Sequence, residues 1–269
     1  MKLNGLIVER HGGAHIERQL LMTKLSRRGL LGSLLLGGAG TGLMVGGAAA
    51  GGSPTAAPSA QAQGSCVLFP EAVEGPYYFD PNEIRRDLTE GRPGHPMRLM
   101  LKVIEHATCR PIASARVDVW HADALGIYSG YPAQGDDRSV SAEGQTYLRG
   151  TQFSDADGNV SFDTIYPGWY PGRTPHIHLK VFLDQKTLVT SQAYLPDDLS
   201  ARIYREHQPY TERPVADTTN DQDYFFRSGV KQGGGIVMAL EDAPERLTAS
   251  LLLAVDRSGK SRAGFWFWR

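Results

Sequence analysis

Residues 175–183 alternate strictly between two kinds of side chain. Ile177, Leu179, Val181 and Leu183 occupy one set of positions, and His176, His178, Lys180 and Phe182 the other. Successive strand residues point to opposite faces, so this pattern predicts a strand with one apolar face and one face carrying two histidines. Segments of the same character recur at 97–106, 115–121, 146–154, 159–165, 187–195, 235–240, 248–255 and 264–268, separated by Gly, Pro, Asp and Asn. Many short strands at such spacing predict an all-β chain, a β-sandwich core of mixed or antiparallel strands with an N-terminal arm and long loops. Helical signals are confined to 81–88 and 199–207. Residues 208–220 read as a polar, proline-bearing loop. Internal repeats are absent from the 269-residue sequence, and low complexity is confined to its N-terminal part.

Ser26-Arg27-Arg28-Gly29-Leu30-Leu31 opens an apolar, glycine-rich run to Ala50, followed by small residues to Gln63. This reads as a twin-arginine export signal, with a retained membrane anchor as the alternative; the glycines make the run a poor membrane helix. The expected organisation is a cleaved signal and small-residue segment over 1–60, then one domain over 61–269, in the periplasm or outside the cell. Met22 would be a more ordinary signal start than Met1. Without residues 1–60, acidic residues outnumber Lys and Arg, which argues against a nucleic-acid partner. In an exported chain the two cysteines, Cys66 and Cys109, are expected to form a disulfide; metal binding by the pair is the other reading.

Two imidazoles at i and i+2 on one strand can converge on a single ion. Two tyrosines join them as candidate ligands. Tyr128 follows a strand, in the kind of loop that displays functional groups. Tyr170 lies in Pro167-Gly-Trp-Tyr-Pro-Gly172, where flanking prolines restrict the backbone. Phenolate is a hard anionic donor, so Tyr128, Tyr170, His176 and His178 suit ferric iron better than zinc. His121 is expected to be structural, since on a strand it faces away from Trp120. His95, His106 and His207 are expected at the surface without partners. Asp155-Ala-Asp-Gly-Asn159 looks like the start of a calcium loop but lacks the closing glutamate, so a hairpin turn is expected. Glu71 and Glu74 are expected to be structural.

The chain resembles the intradiol ring-cleavage dioxygenases. The motifs that carry the resemblance are Pro70-Glu-Ala-Val-Glu-Gly-Pro-Tyr-Tyr78, Val117-Asp-Val-Trp-His-Ala-Asp-Ala-Leu-Gly-Ile-Tyr128, Leu148-Arg-Gly-Thr-Gln152, Phe162-Asp-Thr-Ile165, Pro167-Gly-Trp-Tyr170, Arg173-Thr-Pro-His-Ile-His178 and Gln192-Ala-Tyr194. They follow the family's order and cover most of 66–195. The resemblance implies a β-sandwich and Fe(3+) held by Tyr128, Tyr170, His176 and His178. It implies a catechol-type substrate cleaved by O2 between its hydroxylated carbons to a cis,cis-muconate-type diacid. It further implies that Tyr170 is released on substrate binding and accepts a proton, that Arg173 offsets negative charge on the substrate, and that Gln192 stands behind the ligands. Larger members resembling this chain have an insert between the second tyrosine and the Arg-x-x-His-x-His motif; here only Pro171 and Gly172 stand there. That predicts a more open pocket. The competing readings are an exported, non-catalytic β-sandwich module binding an aromatic or glycan ligand, and a His/Tyr zinc hydrolase. The module has no need of four ligand positions together with Arg173, and the hydrolase lacks an obvious carboxylate base near His176. An oligomer is compatible with the sequence.

Overall fold

The computed structural model describes residues 66–231, 237–243 and 245–259. The signal-like segment, Met22, the expected strand at 264–268 and part of that at 235–240 lie outside the described residues.

Among the described residues there are eight strands: β1 (Pro96–Glu105), β2 (Arg116–Trp120), β3 (Arg149–Phe153), β4 (Asn159–Ile165), β5 (His176–Leu183), β6 (Lys186–Tyr194), β7 (Ala239–Ala243) and β8 (Arg246–Val255). They form two four-stranded sheets, ordered β4-β1-β8-β7 and β3-β2-β5-β6. Among the described strands only β1 and β8 pair in parallel. The sheets meet through their apolar faces. Met97, Leu99, Leu101 and Val103 of β1 join Val117 and Val119 of β2 and Ile177, Leu179 and Val181 of β5 in one buried core. This is the mixed sandwich expected from the alternation.

The first sequence expectation to need correction is the helix at 81–88. This stretch is extended: Ile84 bridges to Thr151 and Asp87 to Asp163. Arg85 N–H donates to Thr151 O at 3.0 Å and Leu88 N–H to Asp163 O at 2.9 Å. β3 and β4 are edge strands with free backbone groups, and pairing with them overrides a weak local helix preference. The strand expected from 146 begins only at Arg149, because Leu148 has φ 56° and interrupts the extended run.

The turn at Asp155–Asn159 is real but is not a hairpin, since β3 and β4 lie in different sheets. Asp155 Oδ1 accepts the N–H groups of Asp157 (2.9 Å) and Asn159 (2.8 Å). Gly158, at φ 78°, lies where a Cβ would sit 2.3 Å from Val103 O, so the corner demands glycine. Helix α1 (Asp197–Glu206) matches expectation, whereas a 3₁₀ turn (Tyr210–Glu212) and helix α2 (Tyr224–Lys231) follow in the region around the expected loop. Cys66 and Cys109 form a disulfide that ties the arm to the end of β1. Among the described residues no helix is long and apolar enough to cross a membrane.

Candidate metal centre

The outer face of the β3-β2-β5-β6 sheet is not given to solvent. Register aligns Arg149 with Trp120, Trp120 with His178, and His178 with Gln192. Directly opposed residues share a face, so these four side chains form a row outside the sandwich core, with His176 opposite Tyr194 beside it. The N-terminal arm crosses this face and buries it. Glu74 pairs with Lys180 at 2.6 Å, and Tyr78 donates to Asp118 at 2.9 Å; the structural role expected of Glu74 is thus observed.

His176 and His178 are each 2% exposed, with their Nε2 atoms 3.2 Å apart. Tyr170 Oη lies 3.2 Å and Tyr128 Oη 3.5 Å from His176 Nε2. Ligands of a four-coordinate ion at about 2.1 Å stand roughly 3.4 Å from one another. The three distances from His176 Nε2 are therefore those that a shared ion requires. Two glycines hold the tyrosine loops together. A Cβ on Gly126 would sit 2.2 Å from Trp169 O, and one on Gly168 2.3 Å from Asp123 O. The loops thus meet backbone to backbone. Arg213 Nη1 adds donations to Leu125 O (2.8 Å) and Trp169 O (2.5 Å).

Burial pushes Tyr128 well above the ordinary phenol range, with Tyr170 beside it adding to the shift. Burial also raises Tyr170, against the pull of Arg173. Burial, reinforced by Arg173, drives both His176 and His178 well below the usual imidazole range. His176 Nδ1 lies 2.7 Å from Thr174 O. A carbonyl can only accept, so the proton is on Nδ1 and the Nε2 lone pair faces the cluster. His178 differs: its Nδ1 is buried with no hydrogen-bond partner. Its ring is held instead by a parallel stack on Trp120 (centroids 4.8 Å, 11°). Two neutral imidazoles and two phenols whose ionisation is suppressed chiefly by burial make a donor set that a hard, highly charged cation fits.

Arg173 and Gln192 complete the expected set. Arg173 Nη1 donates to Tyr170 Oη (3.1 Å), Nη2 to Gln192 Oε1 (2.5 Å) and Nε to Asp223 Oδ2 (2.7 Å). Burial would lower the guanidinium; Tyr170 and Asp223 outweigh it and hold Arg173 above its ordinary value. Gln192 is oriented by donation to Val73 O (3.0 Å) and by Tyr194 Oη (2.9 Å). Beside the phenols lies a cavity of about 240 Å³ whose lining includes Tyr77, Tyr128, Gln134, Arg138, Tyr170 and Pro171. Pro171 belongs to the short link singled out from sequence. Tyr77 stacks on Tyr128 (4.6 Å, 25°).

All six sequence-derived site residues come together. Reasoning from sequence missed Asp223, Trp120, Arg149 and Tyr77 as their supports. Asp223 had a signal: an Asp directly before Tyr-Phe-Phe is a helix N-cap pattern. His121 is buried and structural as expected, bonded to Ala122 O and Thr164 Oγ1, both at 2.7 Å. The other histidines need correction. His95 and His207 are half-buried against each other (4.3 Å), and His106 stands 3.9 Å from Asp256. The reason is tertiary: the start of β1 packs on Tyr210, whose hydroxyl accepts the His95 N–H at 3.1 Å.

This sandwich, with its two-histidine, two-tyrosine cluster, can be set beside known proteins. Residues 73–204 match the protein family described as "Dioxygenase". An intradiol ring-cleavage dioxygenase from Tetranychus urticae is 31% identical, with 73% of this chain and 98% of that one covered at a TM-score of 0.65. Catechol 1,2-dioxygenase 1 of Acinetobacter lwoffii is 24% identical over 152 residues, and catechol 1,2-dioxygenase of Acinetobacter baylyi 25%. Those matches cover 48% of this chain and 47% of each relative, so the chain spans about half the length of these curated relatives. The chain belongs to the intradiol ring-cleavage dioxygenase family.

Proposed function

We propose that this protein is a non-haem ferric dioxygenase. It cleaves a catechol-type ring between its two hydroxylated carbons, adding both atoms of O2 to give a cis,cis-muconate-type diacid. The observation that carries this reading is the convergence of two phenol oxygens on two buried, neutral imidazole nitrogens, within 3.2–3.5 Å of His176 Nε2. Tyr128, Tyr170, His176 and His178 would hold Fe(3+), which when bound supplies Lewis acidity and a template for the catechol oxygens.

The chain's own groups do the rest. Tyr170 lines the cavity and touches Arg173; its phenolate oxygen accepts a proton from an entering substrate hydroxyl. Arg173 then neutralises charge on the substrate side, and Asp223 and Gln192 fix its fork so that no reorientation is needed. Tyr128 stays in place, clamped between Tyr77 and the histidines. The arm closes the site from water by burying the outer sheet face. Export to the periplasm or beyond is part of the proposal and is supported by the Cys66–Cys109 disulfide.

The test is reconstitution of the purified protein with ferric ion. Tyrosinate-to-iron charge transfer is expected to colour the protein red-brown, with one iron per chain and O2 uptake on addition of catechol or hydroxyquinol. Tyr128→Phe is expected to weaken or abolish the band. A colourless protein that retains no iron after reconstitution refutes the site.

A further inference from the structure

Three of the arginines around the candidate site are committed within the protein. Arg173 is matched by Asp223 at 2.7 Å. Arg213, which joins the two tyrosine loops, is matched by Asp136 at 2.6 Å. Arg149 spends its fork on Ser129 Oγ (2.8 Å), Ser129 O (2.7 Å) and Tyr77 O (2.6 Å). Arg138 differs. It lines the cavity that Tyr128 and Tyr170 also line. Its side chain makes no hydrogen bond or ion pair with any described residue.

An exposed arginine needs no partner, so the way Arg138 is held matters more. Residues 134–140 form a small loop closed by two backbone bonds between Gln134 and Val140, at 2.7 and 3.0 Å. Arg138 has φ 58°, a left-handed conformation that a residue with a Cβ adopts only at a cost. Its N–H donates to Gly135 O at 3.1 Å. Asp137 Oδ1 accepts the N–H (3.1 Å) and the hydroxyl (2.7 Å) of Ser139. The loop is fastened beside the tyrosines at two points. Gln134 Oε1 accepts the Tyr128 N–H at 3.2 Å, and Asp136 takes Arg213, which also donates to Leu125 O and Trp169 O. A cross-braced turn thus carries the cation in fixed register with both tyrosines.

The neighbouring groups leave that charge unmatched at the cavity. Asp136 lines it too, but Arg213 engages its carboxylate. Gln134 has both ends of its amide occupied, since its Nε2 donates to Pro132 O at 3.2 Å. Among the described residues, Arg138 is the charged side chain lining this cavity that lacks a counter-charge. A guanidinium presents a planar fork of N–H donors that matches a carboxylate in two-point contact.

We propose that Arg138 is a specificity-determining residue, and that it pairs with a carboxylate borne by the catechol-type substrate on its ring or on a short side chain. This rests on the reading of the site as a ferric ring-cleaving centre. A substrate held by its two oxygens at the tyrosine–histidine cluster has the rest of its ring in the cavity that Arg138 lines. Arg173 then serves the reacting end of the substrate and Arg138 reads its substituent.

The experiment compares 3,4-dihydroxybenzoate with 3,4-dihydroxybenzamide, which keeps the shape and loses the charge. O2 uptake by the iron-reconstituted parent, Arg138→Gln and Arg138→Glu gives kcat and KM for each compound. Calorimetry gives the Kd of each compound for the metal-free proteins. The parent is expected to favour the acid about tenfold or more in kcat/KM, chiefly through KM, as a charge-assisted contact does. In Arg138→Gln the ratio of acid to amide should fall to within about threefold of one, and in Arg138→Glu it should invert. A parent without preference for the acid overturns the proposal. So does an Arg138→Gln protein that keeps the parent's ratio, including one in which acid and amide lose equally, the mark of a merely structural role. A parent that takes up no iron, or cleaves neither compound, overturns the ferric reading instead. The metal-free proteins then decide the role of Arg138: tighter binding of acid than amide in the parent, lost in Arg138→Gln, upholds it, and equal binding in the parent overturns it.

Discussion

Asp223 joins two jobs in one buried carboxylate, and substitution can separate them. Its side chain is fully buried. Oδ2 accepts from Arg173 Nε (2.7 Å) and Thr174 N–H (3.2 Å), while Oδ1 caps α2 through Phe225 N–H (2.8 Å) and Phe226 N–H (3.1 Å). Asp223→Asn keeps a cap acceptor and shape but leaves the Arg173 guanidinium, 14% exposed, without its counter-charge. Breaking one side of a buried pair costs about 3–5 kcal/mol. Arg173 retains Gln192 and Tyr170, so the lower end, about 3 kcal/mol, is expected. Asp223→Ala also removes the cap, adding about 1 kcal/mol. Urea unfolding of the metal-free protein measures both, because no bound ion then adds to stability. A double-mutant cycle with Arg173→Met should show a coupling of about 2 kcal/mol or more, since removing both partners leaves no orphaned charge. An Asp223→Asn protein within about 1 kcal/mol of the parent, or a cycle that simply adds, refutes the reasoning.

Three further outcomes follow from particular contacts. Trp120→Leu removes the stack that orients His178, whose Nδ1 has no hydrogen bond; iron affinity measured by chelator competition should fall about 10- to 100-fold, the size of a lost outer contact, with Trp120→Phe much closer to the parent. His121, fully buried, is pushed by burial from 6.5 to about 4. The unfolded chain therefore takes up a proton at higher pH than the folded one, and this stability is complete above 6.5 and lost as pH falls towards 4. His121→Gln should flatten the acid limb by about 2.5 kcal/mol between pH 7.5 and 4.5, read from urea midpoints; an unchanged slope contradicts the assignment. Cys66→Ser with Cys109→Ser opens a closure of sequence separation 43, and should cost roughly 4 kcal/mol, reproduced by reductant in the parent.

The strands were legible because each carries its own period-2 record, as Met97, Leu99, Leu101 and Val103 do. The His176–His178 pair was legible for the same reason. What the alternation does not encode is which strand lies beside which. Arg149, Trp120, His178 and Gln192 become one row only through the order β3-β2-β5-β6, whose neighbours are not all consecutive. The arm was misread because its extended form depends on the free edges at Thr151 and Asp163, not on its own residues. α2 was missed although Asp223 stands before it as a readable cap; what the sequence does not encode is that the same carboxylate pairs with Arg173.

That same asymmetry of support separates the two tyrosines. Tyr128 is 1% exposed, stacked on Tyr77, and followed by Ser129, which Arg149 grips twice. Tyr170 is less buried, lies on a link of only Pro171 and Gly172 to Arg173, and meets a guanidinium at its hydroxyl. Releasing Tyr128 would unstack Tyr77 and disturb the loop that Arg149 holds to the arm. Releasing Tyr170 moves a short turn beside the cavity, with Arg173 ready to hold the freed oxygen. On the proposed ferric reading, the cost of motion, more than the chemistry of the phenol, favours Tyr170 as the ligand that yields to substrate.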